Sequence, residues 1–177
     1  MSDIDLAALV RTIPNYPHAG ILFRDITTLL LNGPGFAQCI AQMAASITDL
    51  PDCVAAIEAR GFIFGAALAQ SMGIGLVLLR KQNKLPGRVV GINYALEYGI
   101  DRIEMHDDAV RAGQQVLLVD DLIATGGTAL AAVELLRGAG AVVTQSVFAI
   151  DLPDLGGGAR LRAAGVAVHA QMEFAGA

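Results

Sequence analysis

Val116-Leu117-Leu118-Val119-Asp120-Asp121-Leu122-Ile123-Ala124-Thr125-Gly126-Gly127-Thr128 is the stretch on which the fold turns. Val116 to Val119 is apolar without alternation, as in a strand buried on both faces. Two adjacent carboxylates come next, then two glycines flanked by threonines, then a helical pattern from Thr128 to Arg137. The spacing predicts a strand that brings Asp120 and Asp121 to the carboxyl edge of a sheet. The loop Ala124, Thr125, Gly126, Gly127, Thr128 follows as a phosphate cradle, built from backbone N–H groups, two hydroxyls and a helix N-terminus. Glycine lets the backbone come close to a ligand there. No lysine follows the glycines and no GxGxxG is present, which excludes a nucleoside triphosphate P-loop and a dinucleotide fold. An acid pair directly before a phosphate cradle suits a sugar phosphate, with the carboxylates accepting from vicinal hydroxyls. Each feature is common by itself; their conjunction in 13 residues points to a ligand.

The flanking sequence fits a sheet of this kind. Cys53 to Ile57, Gly75 to Leu79 and Val142 to Ile150 read as buried strands, with helices over Phe62 to Met72 and Thr128 to Arg137. Val89 to Leu96 and Arg102 to His106 alternate and read as an antiparallel excursion around Tyr98-Gly99. Helices are also predicted over Asp3 to Thr12, capped by Asp3, and over Gly35 to Thr48. A last helix near Ala159 precedes a strand over Val166 to Ala170. Strands alternating with helices imply an α/β fold with a central parallel sheet covered on both faces. Its ligand would lie at the strands' carboxyl ends, in the loops after Ile57, Leu79 and Val119.

Composition narrows the function. The 177 residues carry 12 Lys+Arg and 17 Asp+Glu, a net charge of −5, which disfavours a nucleic-acid partner. The uncharged runs Ile26 to Thr48 and Gly61 to Leu79 are long enough to span a membrane. Asn32-Gly33-Pro34-Gly35 breaks the first and Gln70 to Gly75 the second, so no membrane partner is expected. No basic and apolar leader follows Met1, and Cys39 and Cys53 read as buried thiols, so the expectation is a cytoplasmic protein. His18, His106 and His169 are too scattered for a zinc site, and no protein-built metal site is expected. Arg80, Lys81, Lys84 and Arg88 place four of the 12 basic residues in nine positions. Such a run is ordinarily a solvated face, but this one directly follows a buried strand.

The Val116 to Thr128 run resembles the phosphoribosyl pyrophosphate motif of type I phosphoribosyltransferases. Phe23-Arg24-Asp25-Ile26-Thr27, Arg60-Gly61-Phe62, Arg80-Lys81-Gln82-Asn83-Lys84-Leu85-Pro86-Gly87 and Leu96-Glu97-Tyr98-Gly99 resemble further motifs of the adenine phosphoribosyltransferase family. They follow that family's order over about Ile13 to Ile150. Thr28 and His18-Ala19 stand where the family commonly has proline and Lys-Pro, and beyond Asp151 the likeness fades.

The resemblance implies one type I phosphoribosyltransferase domain over residues 1–177. Residues 1–34 would include a base-binding hood, and 81–106 the basic segment and a β-hairpin lid. It implies transfer of phosphoribosyl from 5-phospho-α-D-ribose 1-diphosphate to adenine, giving AMP and diphosphate, with Mg²⁺ carried on the substrate. Asp120 and Asp121 would hold the ribose hydroxyls and the Ala124–Thr128 loop the 5-phosphate. Arg60, Arg80, Lys81 and Lys84 would meet the pyrophosphate, Arg60 also stabilising charge as the bond to C1 breaks. An Arg60–Glu58 ion pair is the plain alternative for that arginine, and a strained or cis peptide around Glu58-Ala59 fits the implied loop. Leu22, Phe23 and Arg24 would bind the base by stacking and main-chain contacts, with Leu122 opposite. A site matched to adenine's donor at N6 and acceptor at N1 rejects hypoxanthine, which reverses them. Glu97 is the implied acid/base and Tyr98 a lid residue. The greasy composition and the resemblance together predict a homodimer. The rivals are another purine base, a non-catalytic sensor of phosphoribosyl pyrophosphate, or a sugar-phosphate kinase. The sensor would need no leaving-group or proton machinery, and the kinase lacks a P-loop.

Overall fold

The computed structural model describes residues 3–96 and 99–176. Strands β1 (Arg11–Pro14) and β2 (Leu22–Asp25) form a small antiparallel ribbon, followed by helices α1 (Thr27–Leu31) and α2 (Gly33–Ala45). The main body runs β3 (Cys53–Ile57), α3 (Gly61–Met72), β4 (Gly75–Lys81), β5 (Val89–Leu96), β6 (Gly99–His106), β7 (Gln115–Ile123), α4 (Gly127–Gly138), β8 (Val142–Asp151), α5 (Gly157–Ala163) and β9 (Ala167–Glu173). Seven of these strands form one sheet in the order β5-β6-β4-β3-β7-β8-β9. The stretch from β4 to β9 is parallel, and the β5–β6 hairpin joins its edge antiparallel.

Two apolar layers sandwich the sheet. On one face Ala129, Ala132, Val133 and Leu136 of α4 pack against Ala55, Ile57 and Leu118. On the other, Met43 of α2 and Phe64 and Leu68 of α3 pack against Val54, Leu117 and Val119. Phe64 and Leu68 are fully buried, each contributing about 1.5–3 kcal/mol by leaving water. That burial anchors α3, and so fixes where its first residue meets the sheet. The connection β3–α3–β4 covers one face and β7–α4–β8 the other, so the neighbours β3 and β7 hand the chain off in opposite directions. Their carboxyl ends therefore form a topological switch point, the crevice position where open α/β sheets bind ligands.

The N-terminus departs from expectation. The helix predicted over Asp3 to Thr12 is only a 3₁₀ turn at Ala7–Leu9, after which Arg11–Pro14 is strand β1. Asp5, rather than Asp3, accepts from the N–H groups of Ala7 and Ala8, at 3.1 and 3.3 Å. The Gln38 side chain takes both main-chain groups of Ile4, at 2.9 and 2.8 Å, and pairing with β2 claims the rest. These long-range partners override a helical period. Helix α1 was not expected; it forms beside Asp25, whose carboxylate accepts the Thr27 N–H at 2.9 Å. Thr28, the residue in place of a proline, donates its hydroxyl to Leu9 O at 2.6 Å and ties α1 to that turn. Helix α2 begins two residues before Gly35, because Asn32 caps it through the Gly35 N–H and Pro34 suits a first turn. Strand β7 runs past Val119 to Ile123, so the acid pair lies inside a strand rather than beyond its end. Cys39 and Cys53 are both buried free thiols.

Candidate active site

Strand β7 pairs with β3 only as far as Val119, opposite Ala56, yet continues along β8 to Ile123. Asp120 and Asp121 therefore border an edge that the end of β3 leaves open. Helix α3 begins beside them. A Cβ on Gly61 would stand 2.6 Å from Asp120 Oδ1 and 3.0 Å from Asp120 Cα, so this position needs glycine for contact distance. Asp120 Oδ1 accepts the Asp121 N–H at 2.8 Å. Burial and the neighbouring Asp121 push the Asp120 carboxyl well above the ordinary aspartate range. Burial also raises Asp121, against the pull of Arg60. Arg60 Nη2 lies 2.8 Å from Asp121 Oδ2, but its N–H is not aligned with that oxygen, which is left without a hydrogen bond. A buried carboxylate oxygen in this condition retains the capacity to accept a further hydrogen bond.

The loop after β7 is shaped by a second close approach. Gly126 sits at φ +80° as the residue before α4, and a Cβ there would lie 2.9 Å from Gly157 Cα. Gly157 opens α5, and its N–H donates to Ala124 O at 2.9 Å. Arg160, one turn on, donates from Nη1 to Thr125 O at 2.7 Å. Beyond Gly126, the first N–H groups of α4 have no intrahelical acceptor and carry the positive end of the helix dipole. The Ala124–Thr128 loop is thus held from one side by α5 and leads directly into those N–H groups.

Arg60 joins this acid pair to the hood. Its Nη1 donates to Arg24 O at 3.2 Å, and its guanidinium lies 5.1 Å from the centre of the Phe23 ring. Tyr16 meets the same ring edge-on at 5.2 Å. The Arg60–Glu58 pairing is not formed. Phe23 and Asp121 are brought together through one arginine; Leu22 lies beside them on β2 and Leu122 next along β7. The Arg24 side chain goes elsewhere. It donates to Thr12 Oγ1 and Ala175 O, at 2.6 and 2.8 Å, and lies over the Phe174 ring at 4.7 Å. Its side chain thus ties the hood to the C-terminal segment.

The basic segment is organised by Glu58. Its Oε2 accepts from Arg80 Nε at 3.1 Å and from the Lys81 N–H at 2.9 Å, joining the turn after β3 to the end of β4. The Glu58–Ala59 peptide is cis. Arg80 also donates to Lys84 O at 2.8 Å, and Lys84 itself is exposed. Lys81 Nζ pairs with Asp101 at 3.0 Å, a bond that raises the lysine's affinity for its proton. Asp101 accepts from the Tyr94 hydroxyl at 3.2 Å, which in turn accepts from Thr128 Oγ1 at 3.3 Å. The hairpin thus reaches both the basic segment and the cradle. Arg88 pairs with Asp107 at the far end of β5 and stands apart from the site. Glu97 and Tyr98 lie outside the described residues.

Sequence reasoning missed Glu58 as an organiser, and missed Tyr94, Gly157 and Arg160. Gly156-Gly157-Gly158 was a visible signal of close backbone approach; nothing local marked Tyr94 or Arg160. Among the described residues no three His, Cys, Asp or Glu side chains converge as a metal site. No helix among them is long and apolar enough to cross a membrane. A cavity of about 340 Å³ lined by Leu50, Pro51, Gln115 and Gln145 lies at the opposite, amino edge of the strands and shares nothing with the crevice.

Residues 27–155 match the family model described as the phosphoribosyl transferase domain. The chain is 57% identical to the adenine phosphoribosyltransferase of Novosphingobium aromaticivorans, covering 99% of each protein. It superposes on the crystal structure of adenine phosphoribosyltransferase from Thermoanaerobacter pseudethanolicus with a TM-score of 0.91 and 40% identity, over 96% of this chain and 98% of that one. The Saccharomyces cerevisiae adenine phosphoribosyltransferase, solved with adenine and D-2,5-dideoxy-2,5-imino-altritol 1,6-bisphosphate, matches with a TM-score of 0.84 and 35% identity, over 93% of this chain and 94% of that one. With its doubly covered sheet, hood and edge hairpin, the chain belongs to the adenine phosphoribosyltransferase family of type I phosphoribosyltransferases.

Proposed function

We propose that the crevice between β3 and β7 binds 5-phospho-α-D-ribose 1-diphosphate and that the chain transfers its phosphoribosyl group to adenine, giving AMP and diphosphate. The observation that carries this reading is the buried Asp121 Oδ2, ion-paired with Arg60 but without a hydrogen bond, between the Ala124–Thr128 loop and the arginine that leads to Phe23. Vicinal ribose hydroxyls donate to Asp120 and Asp121, and the 5-phosphate takes the Ala124–Thr128 amides. Arg60, Arg80, Lys81 and Lys84 face the diphosphate. Mg²⁺ enters as part of the substrate, on its diphosphate, keeping several waters as Mg²⁺ commonly does.

In the reaction the C1–O bond to diphosphate breaks and the N9–C1 bond forms with inversion, through an oxocarbenium-like transition state. Fixed cations beside the leaving oxygen stabilise the charge that develops there. The acid pair and the cradle hold C1 in line with the base, turning a two-molecule encounter into a positioned one. Phe23 stacks on the purine, main-chain groups of Leu22 to Arg24 read its edge, and Leu122 closes the other face. Glu97 takes the proton that adenine releases, and Tyr98 shuts the lid over it.

The protein acts in the cytoplasm as a homodimer in this reading. Partly exposed Ile63 on α3 and Leu76 and Leu78 on β4 support association of subunits. The test is incubation with phosphoribosyl pyrophosphate, Mg²⁺ and each purine base in turn, following nucleotide formation. AMP from adenine is expected. Product only from another base contradicts the specificity, and binding without turnover contradicts the enzyme.

A further inference from the structure

The C-terminal segment, which carried no functional motif, reaches the phosphate cradle directly. We infer that Arg160 is a positioning residue for 5-phosphate binding, holding the Ala124–Thr128 loop in its binding shape through the Thr125 carbonyl. The inference rests on the reading of that loop as the 5-phosphate site.

Three contacts converge on one side of the loop. Arg160 Nη1 donates to Thr125 O at 2.7 Å, a charge-assisted bond to a carbonyl in the middle of the cradle. The Gly157 N–H donates to Ala124 O at 2.9 Å, on the residue before. Gly157 also packs so closely that a Cβ on it would lie 2.7 Å from the Gly126 N and closer still to Ala124 O. Consecutive residues of the loop are thus pinned from α5 by a side chain, a main-chain bond and a steric floor. Carbonyls held on the α5 side leave the next amides, at the start of α4, free to face the opposite way.

Of the three contacts, only that of Arg160 is made by a side chain, and Arg160 is exposed. Removing it should therefore leave the core and the fold intact. The guanidinium does a second thing: fixed to a loop carbonyl, it places a positive charge behind the amides that a phosphate approaches. The loop carries no basic residue of its own between Ala124 and Thr128. A lysine can reach the same carbonyl with one donor and retains the charge, whereas alanine loses both.

The test compares Arg160→Ala and Arg160→Lys with the parent protein in steady-state kinetics, with thermal melting of each. Arg160→Ala should raise the KM for phosphoribosyl pyrophosphate and the dissociation constant of AMP roughly three- to tenfold, the range expected for the net loss of one ordinary, solvent-exposed hydrogen bond. Its kcat and its KM for adenine should stay within about twofold, with an unchanged melting temperature, and Arg160→Lys should recover most of the loss. Unchanged KM for phosphoribosyl pyrophosphate in Arg160→Ala overturns the inference. So does a loss spread equally over both substrates, or a fall in melting temperature that Arg160→Lys does not rescue. If the parent protein fails to turn over adenine, the functional reading itself has failed, which is a separate outcome.

Discussion

Gly61→Ala tests how tightly the acid pair is coupled to the pyrophosphate turn. The added Cβ would lie 2.6 Å from Asp120 Oδ1 and 3.0 Å from Asp120 Cα, where ordinary contact begins at 3.4 Å. Relief therefore needs about 0.8 Å at the carboxylate and about 0.4 Å at the backbone, and rotating a side chain supplies only the first. The start of α3 must move away from β7. Overpacking of this kind costs about 1–3 kcal/mol. For a chain of this size that lowers the melting temperature by about 2–12 °C. The same movement carries Arg60 away from Asp121 and spreads the crevice. Misplacement approaching 1 Å can cost on the order of a hundredfold in rate, so kcat/KM for phosphoribosyl pyrophosphate should fall at least tenfold. Gly65→Ala is the control one turn along, where the new Cβ meets Ala56 Cβ at 2.5 Å and overpacks α3 against β3 away from the acids. It should destabilise comparably with a much smaller kinetic effect. Differential scanning fluorimetry and initial rates measure both. A Gly61→Ala variant that melts lower but binds and turns over substrate normally would refute the coupling.

Asp120→Asn should separate stability from function. Burial and Asp121 raise the folded-state pKa of Asp120, so between the ordinary aspartate value and the raised one the folded chain holds a proton that the unfolded chain has lost. Stability from this group therefore falls as pH rises through that window. The empty variant should melt above the parent at pH 8, by a margin that shrinks towards pH 4, while affinity for phosphoribosyl pyrophosphate drops about tenfold. A margin independent of pH would contradict the origin assigned to the shift. Phe174→Ala removes the ring under the Arg24 guanidinium, worth about 0.5–2 kcal/mol. It should raise the KM for adenine roughly three- to tenfold with little change for phosphoribosyl pyrophosphate; equal changes for both would refute the anchoring of the hood.

What could be read in advance followed the range of the interactions involved. The β7–loop–α4 unit was legible because strand, acids, glycines and helix are consecutive in the chain and each has its own local signal. Strand β3 was legible because it is short, apolar and flanked by turn residues. The N-terminal segment was misread because Leu6, Leu9 and Val10 satisfy a helical period, while the partners that hold it extended, Gln38 and β2, lie far along the chain. The acids were placed just beyond the strand because pairing with β8, which no local pattern shows, prolongs β7 to Ile123. The role of the Arg24 side chain was not legible, because Thr12, Phe174 and Ala175, which hold it, lie outside its own motif. Charge followed the same rule: Arg80 to Arg88 is continuous in sequence, yet Glu58 and Asp101 gather Arg80 and Lys81 while Asp107 takes Arg88 away.

The position of bound AMP is the most direct measurement of the proposed arrangement. A crystal structure with AMP should show the phosphate on the amides of Ala124 to Thr128, both ribose hydroxyls donating to Asp120 and Asp121, and the adenine against Phe23. AMP bound with its phosphate away from that loop, or with its ribose hydroxyls off the two aspartates, would contradict it.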